Sequence, residues 1–255
     1  MINVKEIESF KEYGRCVSIS NGVIEALVTV DLGPRITSFG YVGGINFMSS
    51  DRSAYTPKQE KAYTDFFGEG RCWENFGGHR IWLSPESYPE TYLPDDRAVD
   101  YKITEHGAIF TPLADTEVGV QKSIEIKMDK DDSNMQVIMK VENIADKPQE
   151  FAIWALSVCS RDGDLIIPMN TNDTGLLANR KIAVWPYTDL SDNRIYFGKK
   201  YANLSTEKRL FKNKGSQRLG GIEGEGDIKV SELIARAEAP GDPGAVDSGI
   251  FRGFQ

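Results

Sequence analysis

The chain has 255 residues, 40% of them hydrophobic and 27% charged, which suits a globular protein with a sizeable core in one large domain or two small ones. Its formal net charge of −8, with no basic run, excludes nucleic acid and anionic membrane as expected partners, since both demand a concentrated basic face. Cys16, Cys72 and Cys159 are odd in number and far apart with no CxxC, so no disulfide framework, zinc site, other metal or cofactor is expected.

From the N-terminus, MINVKEIESFKEYGR has no apolar signal core, and no apolar run is long enough to cross a bilayer, which points to a reduced cytoplasmic protein. Strands are predicted over 16–20 and 24–32, flanking Asn21-Gly22, a strong tight-turn signal. In the second, Ile24, Ala26, Val28, Val30 and Leu32 share one face, opposite Glu25, Thr29 and Asp31, the pattern of a half-buried strand. Gly33-Pro34 ends it, and Arg35 leads into another strand over 36–39. Residues 49–72 are polar and aromatic without a clear period, and so long a loop in a compact domain is usually functional or mobile.

The densest chemistry lies in NFGGHRIWLSPE, residues 75–86. Gly77 and Gly78 permit positive φ and close approach, and a short strand follows over 80–83. Period-2 alternation puts Arg80 and Trp82 on one face, with His79 and Ile81 on the other. Pro85 ends the strand, and Glu86 opens a loop rich in proline and tyrosine. A protonatable ring, a guanidinium, an indole and a carboxylate this close together match the needs of a polyhydroxylated ligand. The competing reading is a glycine turn entering a core strand, with Trp82 buried and Arg80 paired to Glu86.

Strands resume over 100–105 and 108–113, joined by a turn at His106-Gly107, then over 118–128 and 135–141. Between the last two, DKDDSN (129–134) lacks the glycine and the glutamate of a calcium loop and reads as a charged hairpin turn. FAIWALSV is a near-continuous apolar strand suited to a sandwich interior, and shorter strands are predicted over 165–168 and 181–186. WPYTDLSDNR, residues 185–194, then repeats the earlier chemistry: Trp185 and Tyr187 offer flat faces, while Asp189, Asp192 and Arg194 offer acceptors and a donor fork. The alternative there is a surface loop with an Asp192–Arg194 pair of small energetic weight.

The ordered series GPRI (33–36), GGHRIWLSPE (77–86), YLPDD (92–96), EFAIWAL (150–156), ANR (178–180) and WPYTDLSDNR resembles an uncharacterised branch of the galactose mutarotase-like proteins, over residues 15 to 212. The resemblance implies an all-β fold, a large antiparallel β-sandwich with a carbohydrate-binding cleft on the concave face of one sheet. Aldose epimerases of that superfamily open the sugar ring with a histidine acid and a glutamate base. The strand that looks equivalent to their histidine strand reads FAIWALSV and has no histidine. Their base lies on late strands, and no matching strand-borne glutamate follows Phe211. Arg35 matches the superfamily's glycine-x-arginine turn, and His79 resembles the histidine of a substrate-binding turn with its order reversed.

Residues 1–212 are therefore read as the sandwich domain. Residues 213–255, rich in Gly, Glu, Ala and Pro, are read as a flexible or non-family tail, the family's last strands being replaced by truncation or a shifted frame. The expected function is binding of a small-molecule carbohydrate, through Arg35, Arg80, Trp82, Trp185, Tyr187, Asp192 and Arg194. One alternative is a sugar isomerase using His79 with Glu86 or Asp189 as a non-classical acid/base pair. The other is a non-catalytic structural or interaction module. Stacking on a sugar requires Trp82 or Trp185 to be solvent-accessible, which separates the first reading from the last.

Overall fold

Alternating apolar residues and tight turns produce strands along most of the chain, and every strand pair in the computed structural model is antiparallel. The structure describes residues 2–52, 60–160, 164–173, 175, 177, 182–183, 186, 188–205, 234–235 and 248–252. Two compact units divide it: Met1–Cys159 with Pro243–Gln255, and Ser160–Asp242.

The first unit contains β1 (Asn3–Ile7), β2 (Cys16–Ser20), β3 (Ile24–Thr29), β4 (Ile36–Tyr41), α1 (Lys61–Phe67), β5 (Gly78–Ser84), β6 (Val99–Thr104), β7 (Gly107–Pro112), β8 (Val120–Met128), β9 (Asn134–Asn143) and β10 (Ala152–Val158). The second contains β11 (Asp164–Pro168), β12 (Ile182–Ala183), β13 (Ile195–Phe197), β14 (Tyr201–Ser205) and β15 (Ile234–Ala235). It has a three-stranded sheet, β11-β14-β13, and the pair β12-β15. The last strand, β16 (Ser248–Arg252), belongs to the first unit, where it pairs with β9.

Two sheets make up the first unit, in the orders β1-β2-β3-β4-β5-β10 and β16-β9-β8-β7-β6. Val17, Ile19 and Val28 from the first meet Phe110, Ile124 and Val137 from the second in one core, all fully buried. Strand β8 alternates buried and half-buried residues throughout, so the period-2 pattern of its sequence becomes its inward and outward faces. The Asn21-Gly22 turn also ties the sheets together. Asn21 Oδ1 accepts from the N–H groups of Val23 and Ile24 (both 2.9 Å), and Nδ2 donates to the carbonyls of Asp129 and Asp132 (both 2.7 Å) in the β8–β9 turn.

The start of β5 depends on two glycines, Gly77 at φ 72° and Gly78 at φ 68°. A Cβ on Gly78 would stand 2.5 Å from the Ile36 carbonyl oxygen, a main-chain atom that cannot swing aside. Gly78→Ala is expected to destabilise the protein by roughly 1–3 kcal/mol, from left-handed strain and this overlap. Urea denaturation checks it; an unchanged midpoint refutes it.

Candidate functional site

Strand β5 lies between β4 and β10 and sends alternate side chains to opposite faces of the six-stranded sheet. Ile81 joins the sandwich core. His79 shares that face, opposite Ile36 on β4 and Ser157 on β10, with Nδ1 2.8 Å from Ser157 Oγ. Burial pushes the imidazole down to about 4, so at neutral pH it is an uncharged hydrogen-bonding group. Arg80 and Trp82 project from the other face, opposite Leu156 and Trp154, as the alternation predicts.

On that outer face an aromatic layer forms. The Trp82 ring lies 5.9 Å from both Trp73 and Trp154 and 5.0 Å from Tyr92, centroid to centroid. The Arg80 guanidinium stands 4.2 Å over Trp82 and 5.6 Å over Trp73, a pair of cation–π contacts. Trp82 is 7% exposed, so it does not offer a stacking face at the surface. The layer reaches solvent at Tyr88, which is 38% exposed and 5.1 Å from Tyr92. Beside it is exposed Glu86, whose Oε1 accepts from Tyr92 Oη at 2.5 Å. Helix α1, inside the long loop read as irregular, supports the layer: Tyr63 donates to the Tyr92 carbonyl at 3.0 Å and its ring lies 6.4 Å from Tyr88.

Arg35 is buried next to this layer's strand, donating to the Gly77 carbonyl (3.2 Å) and to Asp95 Oδ2 (3.0 Å), with its guanidinium 4.8 Å over Phe76. Asp95 also takes Lys122 Nζ at 2.7 Å on its other oxygen. Lys122 reaches Asp115 at 3.2 Å, and Arg97 pairs with Asp115 at 3.0 Å. Burial alone would raise the Asp95 carboxyl, but Lys122 and Arg35 outweigh it and hold it below the usual range. Burial would likewise lower the Lys122 amine, and Asp95 and Asp115 hold it above its ordinary value. The network joins Arg35, which leads into β4 of one sheet, to β8 of the other. The sequence did carry a signal for it: Lys122 occupies an inward position in the β8 alternation, where only a buried carboxylate could accommodate it.

Asp189, Asp192 and Arg194 belong to the second unit. Asp189 Oδ1 accepts from the N–H and the hydroxyl of Ser191 (2.8 and 2.6 Å), and these bonds hold its carboxyl below the usual range. Asp192 and Arg194 grip each other, with Nε 3.0 Å from both carboxylate oxygens. Trp185 and Tyr187, and the ANR motif, lie outside the described residues.

An open groove of about 720 Å³ in the first unit is lined by Leu83, Pro85, Phe151, Glu90, Glu117 and Glu150 among others, and by none of the candidate catalytic or substrate-binding residues. No group of His, Cys, Asp and Glu among the described residues is arranged to hold a metal. No described helix is long and apolar enough to cross a membrane.

No family model matches the chain, and no curated protein does. Among solved structures, similarity is found to a TPR-domain containing protein from Parabacteroides distasonis ATCC 8503, at 16% identity and a TM-score of 0.39. The match covers 67% of this chain and 25% of that one. A likeness of that size carries no argument about fold or activity.

Proposed function

We propose that the protein binds a small-molecule carbohydrate, as a β-sandwich of the galactose mutarotase-like kind, through the loop that follows β5, where the aromatic layer reaches solvent. The observation that carries the reading is the aromatic layer running from Trp154 through Trp82 and Tyr92 to exposed Tyr88, with Glu86 at its open end. A pyranose presents C–H faces to rings and hydroxyls to carboxylates, and Tyr88 with Glu86 supplies that combination. Binding is favoured over acid/base isomerisation because His79 is uncharged at neutral pH and buried on the sheet's other face. A cytoplasmic setting belongs to the same proposal, supported by three cysteines that are all free.

Three tryptophans in contact beneath the surface make intrinsic fluorescence the natural readout. Titration with hexoses, uronic acids and sugar phosphates is expected to give saturable quenching with at least one class. Tyr88→Ala should weaken that binding about fivefold, the loss of roughly 1 kcal/mol of stacking. Glu86→Gln should weaken it as well, while leaving the fold intact. Binding unaffected by both substitutions would place the sugar elsewhere, and no binding to any class would end the proposal.

A further inference from the structure

The open groove of about 720 Å³ in the first unit lies at the end of β5. Leu83 follows Ile81 on the face of that strand that meets the sandwich core, so the groove forms where this inward row runs out. Phe66 from α1 and Phe151, just before β10, add apolar surface, as does Ile144, which is 43% exposed. Hydrogen bonds fix the walls. Gln149 Nε2 donates to the Val118 and Gly119 carbonyls (3.1 and 3.2 Å) and to Asn143 Oδ1 (2.9 Å). The Ile144 N–H donates to the Gly119 carbonyl at 2.9 Å. These bonds join the β7–β8 turn to the β9–β10 loop, so the groove is preformed.

Its charge is one-sided. Glu90, Glu117, Asp146 and Glu150 line it, against Lys147 alone. Arg71 holds Glu117 at 2.9 Å. Glu90, Asp146 and Glu150 are exposed, and among the described residues none of them pairs with a lysine or arginine, Lys147 included. The neutral polar groups are differently placed. Gln149 spends its amide on the walls, and the Thr91 hydroxyl donates to the Ser87 carbonyl (2.8 Å) and accepts from the Ser87 N–H (3.0 Å). The groove therefore offers little to the hydroxyls of a sugar, while three unpaired carboxylates stand around an apolar floor. These carboxylates belong to no group arranged to hold a metal among the described residues.

We propose that the groove binds a linear aliphatic polyamine, at a site separate from the saccharide surface at Tyr88 and Glu86. In such a molecule short runs of methylenes separate ammonium groups. The methylenes lie on Leu83, Phe151 and Ile144, and the ammoniums pair with Glu90, Asp146 and Glu150. The volume of about 720 Å³ falls within the range of small-molecule pockets, about 300–1,000 Å³.

Isothermal titration calorimetry of the full chain with spermidine, putrescine, magnesium and 1,4-butanediol tests the assignment. Spermidine is expected to bind saturably and about tenfold more tightly than putrescine or magnesium, since it alone brings three ammoniums and the methylenes between them. Butanediol, which has methylenes without charge, should not bind, and added salt should weaken spermidine. Asp146→Asn and Glu150→Gln should each weaken spermidine about threefold, and together about tenfold. Ile144→Ser should weaken it about threefold by removing apolar contact. Glu105→Gln deletes the same charge from the exposed β6–β7 turn and should leave affinity unchanged. Tyr88→Ala should also leave it unchanged, so failure here and failure of the saccharide site are distinguishable. Four results would each overturn the proposal: magnesium binding as tightly as spermidine, affinity that survives the double substitution, an equal loss from Glu105→Gln, or tighter binding of a trilysine peptide than of spermidine.

Discussion

Replacing Asp95 with alanine is expected to destabilise the protein by roughly 3–5 kcal/mol, because it takes the carboxylate from buried Arg35 and one of two carboxylates from buried Lys122, which keeps Asp115. Arg35 and Lys122 both sit in the interior, and Asp95 binds each with a separate oxygen. For a unit of this size the melting temperature should fall by about 10 °C or more. Lys122→Met is expected to cost considerably less, although it removes a charge from the same network. Without Lys122, Asp95 keeps Arg35 and Asp115 keeps Arg97, so no buried charge is left alone. The order of the two effects is the test. Equal losses in thermal or urea unfolding, or a larger loss for Lys122→Met, would show that the network is not held through Asp95.

Acidification should remove stability through His79, and the direction follows from its environment. The folded imidazole is pushed from its ordinary 6.5 down to about 4 by burial. Between those values the unfolded chain takes up a proton that the folded chain refuses, so stability rises with pH across the window. The contribution is fully present above pH 6.5 and is lost progressively as pH falls towards 4, about 3 kcal/mol in all. His79→Gln has no proton to take up there and can still hydrogen-bond Ser157. Its unfolding free energy should therefore vary less with pH between 6.5 and 4 than that of the parent chain. Identical pH slopes in urea titrations of the two proteins would sink the assignment.

Much of the fold was legible because strand alternation and tight turns are local. The Asn21-Gly22 turn, the inward row of β8 and the split of β5 into an Arg80/Trp82 face and a His79/Ile81 face each depend on residues within a few positions of one another. The candidate site was legible in part. The stretch 75–86 does carry the arginine, tryptophan and glutamate of the aromatic layer, but Trp73, Tyr88, Tyr92 and Trp154 complete it, and none of these was singled out. FAIWALSV suits a sandwich interior on its apolar content, whereas its Trp154 pairs with Trp82 on the outer face. A near-continuous apolar run shows that both faces of a strand are covered, without showing by what.

By itself, then, the sequence determined an all-β chain of antiparallel strands, because side chains alternate with a period that any window of a few residues displays. It also determined that the charge is net acidic, with no basic run. Tertiary structure alone decided which charges are buried together. Arg35 and Asp95 are 60 residues apart, and Asp95 and Lys122 are 27 apart. No local pattern selects those partners from the chain's many carboxylates. Tertiary structure also decided that Trp82 is covered while Tyr88 is open. Burial of an aromatic ring depends on what the rest of the chain lays over it, here Trp73, Tyr92 and Trp154 arriving from a loop on either side and from a strand 72 residues away.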